Sequence, residues 1–169
     1  MKIKVLGLGE SIANYTPDNC PTIGVNDIYK LHKTDYLVCI DSPRRFSENR
    51  KETIIQSTPK KFFTHIDEWH PLVMNYQKIK LQSPRGYFFG IDRKEICYGL
   101  SSPIVACVIA YKMGAKEIEL FGVDFNSHPN FSDDKLDNAI KDYVKLSNVL
   151  KQRGVKLIPQ PQSRLFQFL

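Results

Sequence analysis

The chain has 169 residues, of which 42% are hydrophobic and 25% charged. That is an ordinary globular composition, long enough for one domain, residues 1–169, with a sizeable core. No apolar run approaches the roughly 20 residues that cross a bilayer. No basic-then-apolar leader opens the chain either, so a cytoplasmic protein without a membrane span is expected. The net charge of +6 favours anionic ligands without choosing between a nucleotide, a sugar phosphate and a nucleic acid.

Ile3, Val5 and Leu6 read as a short buried strand, followed by Gly7-Leu8-Gly9-Glu10-Ser11 and a helix opening at Ser11. A strand that passes through glycines into a helix start makes an anion site, because free amides and the positive helix end face the turn. Gly9 would admit a phosphate, and the Ser11 hydroxyl would add a hydrogen bond. The run is neither G-x-G-x-x-G nor a P-loop. Thr22 to Asn26 reads as a second strand, Asp27 to Lys33 as a helical turn, and Tyr36 to Asp41 as a third strand, apolar enough to be buried on both faces. Pro43 starts a helix expected to run to Ser57, and Lys61 to Thr64 is a fourth strand. Strand and helix alternate, which is the signature of a parallel, doubly wound sheet.

Residues 66–99 break that rhythm with Trp69, Tyr76, Tyr87, Phe88 and Phe89 among prolines and glycines. Ile79 and Leu81 alternate with polar residues as in an exposed strand. A long irregular insertion of this kind is expected to be a lid or arm. Regularity returns at Ser101-Ser102-Pro103, a serine cap with proline in the first turn, ahead of a buried helix from Ile104 to Met113 that Gly114 ends. Ile118 to Val123 is a strand ending at Asp124, and Asn126 to Phe131 is a polar loop. Ser132 caps a long amphipathic helix closed by Gly154, and Val155 to Ile158 is the last strand. The fold class expected is therefore α/β, Rossmann-like, with a mainly parallel sheet of about five to seven strands and helices on both faces.

In such a sheet, ligands bind beyond the carboxyl ends of the strands, where strand order reverses. The residues that follow each strand are Gly7, Gly9 and Ser11, then Asn26 and Asp27, Asp41 and Ser42, His65, and Asp124 with His128. Ser101 and Ser102 add a second anion-binding helix start. Nearly all are short and polar, suited to binding rather than packing. Each of Asp27, Asp41 and Ser42 also suits a helix cap. His128 is the general base expected in the polar loop, with Asp124 to orient it or replace it. His65 comes second, and His32 and His70 have no supporting context. Cys20, Cys39, Cys97 and Cys107 form no C-x-x-C pair and read as core thiols. No zinc spacing is present, so no resident metal is expected.

Gly7 to Ser11, Val25-Asn26-Asp27, Gly99 to Ser102 and above all Met113 to Phe125 together resemble a group of Rossmann-type nucleotide-binding proteins. It includes bacterial CMP-sialic-acid-dependent sialyltransferases and 6-hydroxymethylpterin pyrophosphokinase-like proteins. The ending Pro161-Gln162-Ser163-Arg164-Leu165 is similar to that group's C-terminal Ser-x-Leu element. The resemblance implies nucleotide contacts for Gly9, Ser11, Asn26, Ser101 and Ser102. It also implies a CMP-type nucleotide or nucleotide-sugar as ligand and a glycosyltransferase-like, sialyltransferase-like reaction. Ser101-Ser102-Pro103 stands where the group has serine-glycine. Two other readings stay open. One is a pterin pyrophosphokinase-like phosphotransferase. The other is a non-catalytic module for a nucleotide signal, a nucleic acid or a protein partner, which the basic charge and the aromatic arm would suit.

Overall fold

Side chains along strand β1 (Lys2–Leu6) alternate between two cores. Ile3 and Val5 enter one, and Leu6 enters the other. The computed structural model describes residues 1–127 and 132–169. In it, β1 is followed by β2 (Thr22–Val25), β3 (Tyr36–Val38), helix α1 (Glu48–Ile55), β4 (Lys61–Thr64), β5 (Tyr76–Lys78), helix α2 (Ser102–Lys112), β6 (Glu117–Phe121), helix α3 (Asp133–Gln152) and β7 (Lys156–Ile158). The seven strands form one sheet in the order β5-β4-β3-β2-β1-β6-β7, and every pairing is parallel. The α/β reading is correct in class and in strand number.

The two faces are unlike. Val5, Ile23, Val25, Val38, Ile118 and Leu120 pack under α2 and α3 in the larger core. Leu6, Leu37, Cys39, Phe62 and Phe121 pack with Tyr15, Ile28, Ile54 and Trp69 on the opposite face, which is covered by short 3₁₀ turns and α1. Lys4 points to that second face, where its ammonium sits over the Tyr15 and Phe121 rings and meets Asp18 at 2.7 Å.

Several boundaries differ from expectation; β3 ends at Val38 and not at Asp41, and β6 at Phe121 and not at Val123. The helix after Pro43 is two pieces, a 3₁₀ turn over Pro43–Arg45 and then α1, because Phe46 and Ser47 are extended and Ser47 starts a new helix. The helix expected at Ser11 is a five-residue 3₁₀ turn, Glu10–Asn14. Within residues 66–99 the strand lies at Tyr76–Lys78, ahead of the alternation at Ile79 and Leu81; Leu81 instead makes a single bridge to Ile96. Most of this segment is irregular and lies against the helical face. Asp92 accepts hydrogen bonds from Tyr111 of α2 and from Arg153, and Phe88 and Ile91 are buried in the larger core.

Candidate functional site

The order of the sheet places its reversal at β1, which lies between β2 and β6. The chain leaves β1 and β6 side by side, and their exits interlock. The Gly7 amide donates to the Phe121 carbonyl at 2.7 Å and the Gly9 amide to the Gly122 carbonyl at 2.8 Å. The Ser11 amide donates to Asp124 Oδ2 at 2.7 Å, and its hydroxyl donates to Asp124 Oδ1. That hydroxyl also accepts from the Gly122 amide at 2.7 Å. Ser11 and Asp124 are both buried. Every second amide of the glycine loop, at Gly7, Gly9 and Ser11, is thus turned to β6. A side chain at Gly7 would strike the Gly122 carbonyl, and a Cβ at Gly9 would lie 2.5 Å from Asp124 Oδ2. Both glycines are therefore required by the neighbouring strand exit, independently of any ligand. Among the described residues, no group accepts from the amides of Leu8 and Glu10.

The start of α2 joins this loop through α3. Ser101 is the N-cap residue but makes no side-chain capping bond; its hydroxyl lies 3.1 Å from that of Tyr143. The Tyr143 ring packs edge to face on Phe125, centroids 5.2 Å apart. Phe125 takes a left-handed backbone, φ 59°, as the chain turns out of β6. Ser102 is buried in the first turn of α2. The structure thus brings Gly7, Gly9, Ser11, Asp124, Ser101 and Ser102 to one end of the sheet.

Asn26 follows β2 on the adjacent strand, with φ 53° and its amide on the Val38 carbonyl at 3.0 Å. Its side-chain Oδ1 is buried and has no partner among the described residues. His65, beyond β4, likewise has a buried Nδ1 without a partner. Burial holds its pKa below the ordinary value, with the Asp41 charge opposing. Asp27 turns inward instead. Its Oδ1 accepts from Arg50 Nε at 3.0 Å and Nη2 at 2.7 Å, and its Oδ2 lies 3.2 Å from Lys30 Nζ. Burial alone would raise its pKa, but the Arg50 hydrogen bonds and charge outweigh it and the net shift is downward. Ser42 accepts from the Arg44 amide at 3.3 Å and donates to Glu68 at 2.8 Å, as a helix cap does. Asp41 is half-exposed and meets Arg45 at 3.3 Å. His128 lies outside the described residues.

Sequence reasoning missed the residues that hold the loop after β6 from behind. The buried Ser163 hydroxyl donates to the Val123 and Asp124 carbonyls, at 3.0 and 3.1 Å, and accepts from the Leu165 amide. Asn126 adds two bonds to the same tail, to the Gln162 carbonyl and from the Arg164 amide. The only hint in the sequence was the Ser-x-Leu ending.

No protein-family model matches the chain, and no curated protein matches it. Solved structures do. The sialyltransferase CstII from Campylobacter jejuni, in complex with cytidine-5'-monophosphate, superposes with a TM-score of 0.61 at 19% identity over 99% of this chain and 83% of CstII. CstII with CMP-3FNeuAc gives 0.57 at 18% identity, over 99% and 84%. Sialyltransferase CST-II with a trisaccharide acceptor and CMP gives 0.59 at 19% identity, over 100% and 85%. The fold is sialyltransferase-like. The superposition spans nearly the whole of this chain, so residues 66–99 and the C-terminal turn belong to the matched extent as well as the sheet.

Proposed function

We propose that this chain binds a CMP-type nucleotide or nucleotide-sugar beyond the carboxyl ends of β6, β1 and β2, and that it is a glycosyltransferase-like enzyme. The observation that carries the reading is the buried, unpartnered Oδ1 of Asn26 beside the point where strand order reverses. An unsatisfied buried polar atom costs about 1–3 kcal/mol, and a ligand donor such as a ribose hydroxyl or a cytosine amine removes that cost. The His65 imidazole, whose buried Nδ1 has no partner among the described residues, extends the polar row. The phosphates lie between the unclaimed Leu8 and Glu10 amides and the positive end of α2 at Ser101 and Ser102, which stabilises the charge of a departing nucleotide. Both Asp124 oxygens are held by Ser11, so Asp124 serves to fix the loop, and His128 is the base proposed for the acceptor hydroxyl. The solved neighbours support this reading, since they were crystallised with CMP, a CMP analogue and an acceptor trisaccharide.

The test is a thermal-shift screen with CMP, UMP, GMP, ATP and their sugar conjugates. Cytidine compounds at about 100 times the dissociation constant should add roughly 2.7 kcal/mol. For a chain of this size that raises the melting temperature by about 5–11 °C. Asn26→Gly keeps the left-handed backbone but removes the amide, so it should abolish most of the shift without lowering the ligand-free melting temperature by a comparable amount. A screen with no shift for any nucleotide overturns the proposal. A second reading, binding without catalysis, is favoured by one observation: three of the glycine-loop amides are already taken by Phe121, Gly122 and Asp124. Cytidine binding without hydrolysis or transfer of a CMP-sugar would select it.

A further inference from the structure

The arm presents two aromatic rings that the nucleotide site does not use. Phe89 is 72% exposed and Tyr87 42% exposed, while Phe88 between them is 2% exposed and anchored in the larger core. The loop cannot fold its outer rings inward without withdrawing Phe88. It is further fixed by the Gly86 amide on the Tyr98 carbonyl at 2.7 Å, and by the close approach of Gly86 and Gly99 to the Asp142 carboxylate. Gly86 has φ 76°, which lets the chain turn at that point. The Tyr87 and Phe89 rings meet edge to face, centroids 5.5 Å apart at 61°, and form a small projecting apolar tip.

Cations bracket the tip along the chain. Arg85 lies over the Tyr98 ring, and the Arg93 stem packs against Gly90, next to Phe89. The nearby carboxylates are Asp92, paired with Arg153 at 2.6 Å, Glu95, 3.6 Å from Lys80, and Asp142, 3.7 Å from Lys145 and within reach of the Arg85 charge. Among the described residues Arg85, Arg93 and Lys94 make no salt bridge, and all three are exposed. Edge-to-face rings offer no parallel slot for a base to stack in, and the tip projects where a strand-binding surface would be a groove. Projecting rings, one of them carrying a hydroxyl, beside exposed cations that make no salt bridge among the described residues match the boundary layer of a membrane, where rings sit at headgroup depth and cations reach phosphate.

We propose that Tyr87 and Phe89 form a membrane-docking tip that enters the headgroup layer of an anionic bilayer, with Arg85, Arg93 and Lys94 on the lipid phosphates. No spanning segment is needed for this, and no helix among the described residues is long and apolar enough to be one. Docking of this kind is reversible and salt-sensitive, because each cation near the surface contributes about fivefold in partitioning.

The experiment is co-sedimentation of the full chain with phosphatidylcholine vesicles, with and without phosphatidylglycerol. The chain should sediment only with the phosphatidylglycerol vesicles and should be released by salt. Tyr87→Ser/Phe89→Ser should lower partitioning about tenfold or more at unchanged melting temperature, since both rings are exposed. Arg93→Glu/Lys94→Glu should lower it at least as far. A Phe89→Trp variant should show a blue-shifted emission on adding anionic vesicles. Failure to sediment with either vesicle overturns the proposal. So does sedimentation that the serine variant leaves unchanged, or a preference of the same tip for single-stranded oligonucleotide over vesicles.

Discussion

Ser11 illustrates how a residue read as a ligand contact can carry the frame of the site. Its amide and hydroxyl donate to the two oxygens of Asp124, and its oxygen accepts from Gly122. Ser11→Ala would leave the Gly122 amide buried without an acceptor and remove one of the two donors to a buried carboxylate. Each such loss costs about 1–3 kcal/mol. The variant should therefore be less stable by about 2–6 kcal/mol, a melting temperature lower by roughly 4–24 °C. A calorimetric melt equal to that of the parent chain would show that the clamp contributes nothing. The run Gly7 to Ser11 was legible as a turn, because two glycines after an apolar strand mark one. The reason for the glycines was not, since it lies in Gly122 and Asp124, more than a hundred residues away.

Among the elements, the C-terminal 3₁₀ turn Arg164–Gln167 matters most to the site, because Ser163 at its start fastens the exit of β6. Ser163→Ala would strip the Leu165 amide of its acceptor and release the Val123 and Asp124 carbonyls. A loss of about 1–3 kcal/mol is expected. The more specific readout is amide hydrogen exchange, which should speed up at residues 122–126 by tenfold or more while β1 and β2 stay protected. Uniform loss of protection would mean that the turn supports the whole fold and not that loop. The larger elements followed from their own periodicity: α3 has an apolar stripe, and α2 is apolar nearly all round with proline in its first turn and Gly114, φ 89°, at its end. The break at Phe46 and Ser47 was hidden, because Ser47 as a new cap competes with a continuous helical reading of Pro43 to Ser57.

For the molecule as a whole, the basic charge coexists with carboxylates held in ionised form. Hydrogen bonds from Lys4, Lys78 and Arg153 hold Asp18, Asp67 and Asp92 below their ordinary pKa. Burial opposes the same shift at Asp27 and Asp35 and is outweighed by Arg50 and Lys60. A group whose pKa is depressed by folding adds stability above its unfolded value, near 3.9, and loses it as the pH falls through the folded value. Asp142 has the opposite sign. Burial raises its pKa, so its contribution is greatest below its unfolded value and is lost as the pH rises through the folded one. The depressed groups outnumber it. Urea-unfolding stability should therefore fall steeply below about pH 4, after a smaller decline below about pH 6.5, where His65 takes up a proton in the unfolded chain that its buried ring resists in the folded one. Asp27→Asn should lower the neutral plateau and make the acid limb shallower, because it removes the most buried of these ion pairs. An acid limb identical to that of the parent would exclude Asp27 from the pH response.

The sequence by itself determined the class of fold, the count of strands within a narrow range and the buried helix α2. These depend on local hydrophobic period, proline and glycine, which act over a few residues. It also singled out Asn26, whose buried oxygen has no partner among the described residues. Tertiary structure alone decided that β1 sits between β2 and β6, that Asp124 is bound to Ser11, that Asp27 belongs to Arg50, and that Ser163 braces the loop after β6. Each of these pairs residues 18 to 115 positions apart. A short polar side chain has the same local pattern whether it caps a turn, bonds a distant strand exit or waits for a ligand, and only the packed sheet distinguishes the three.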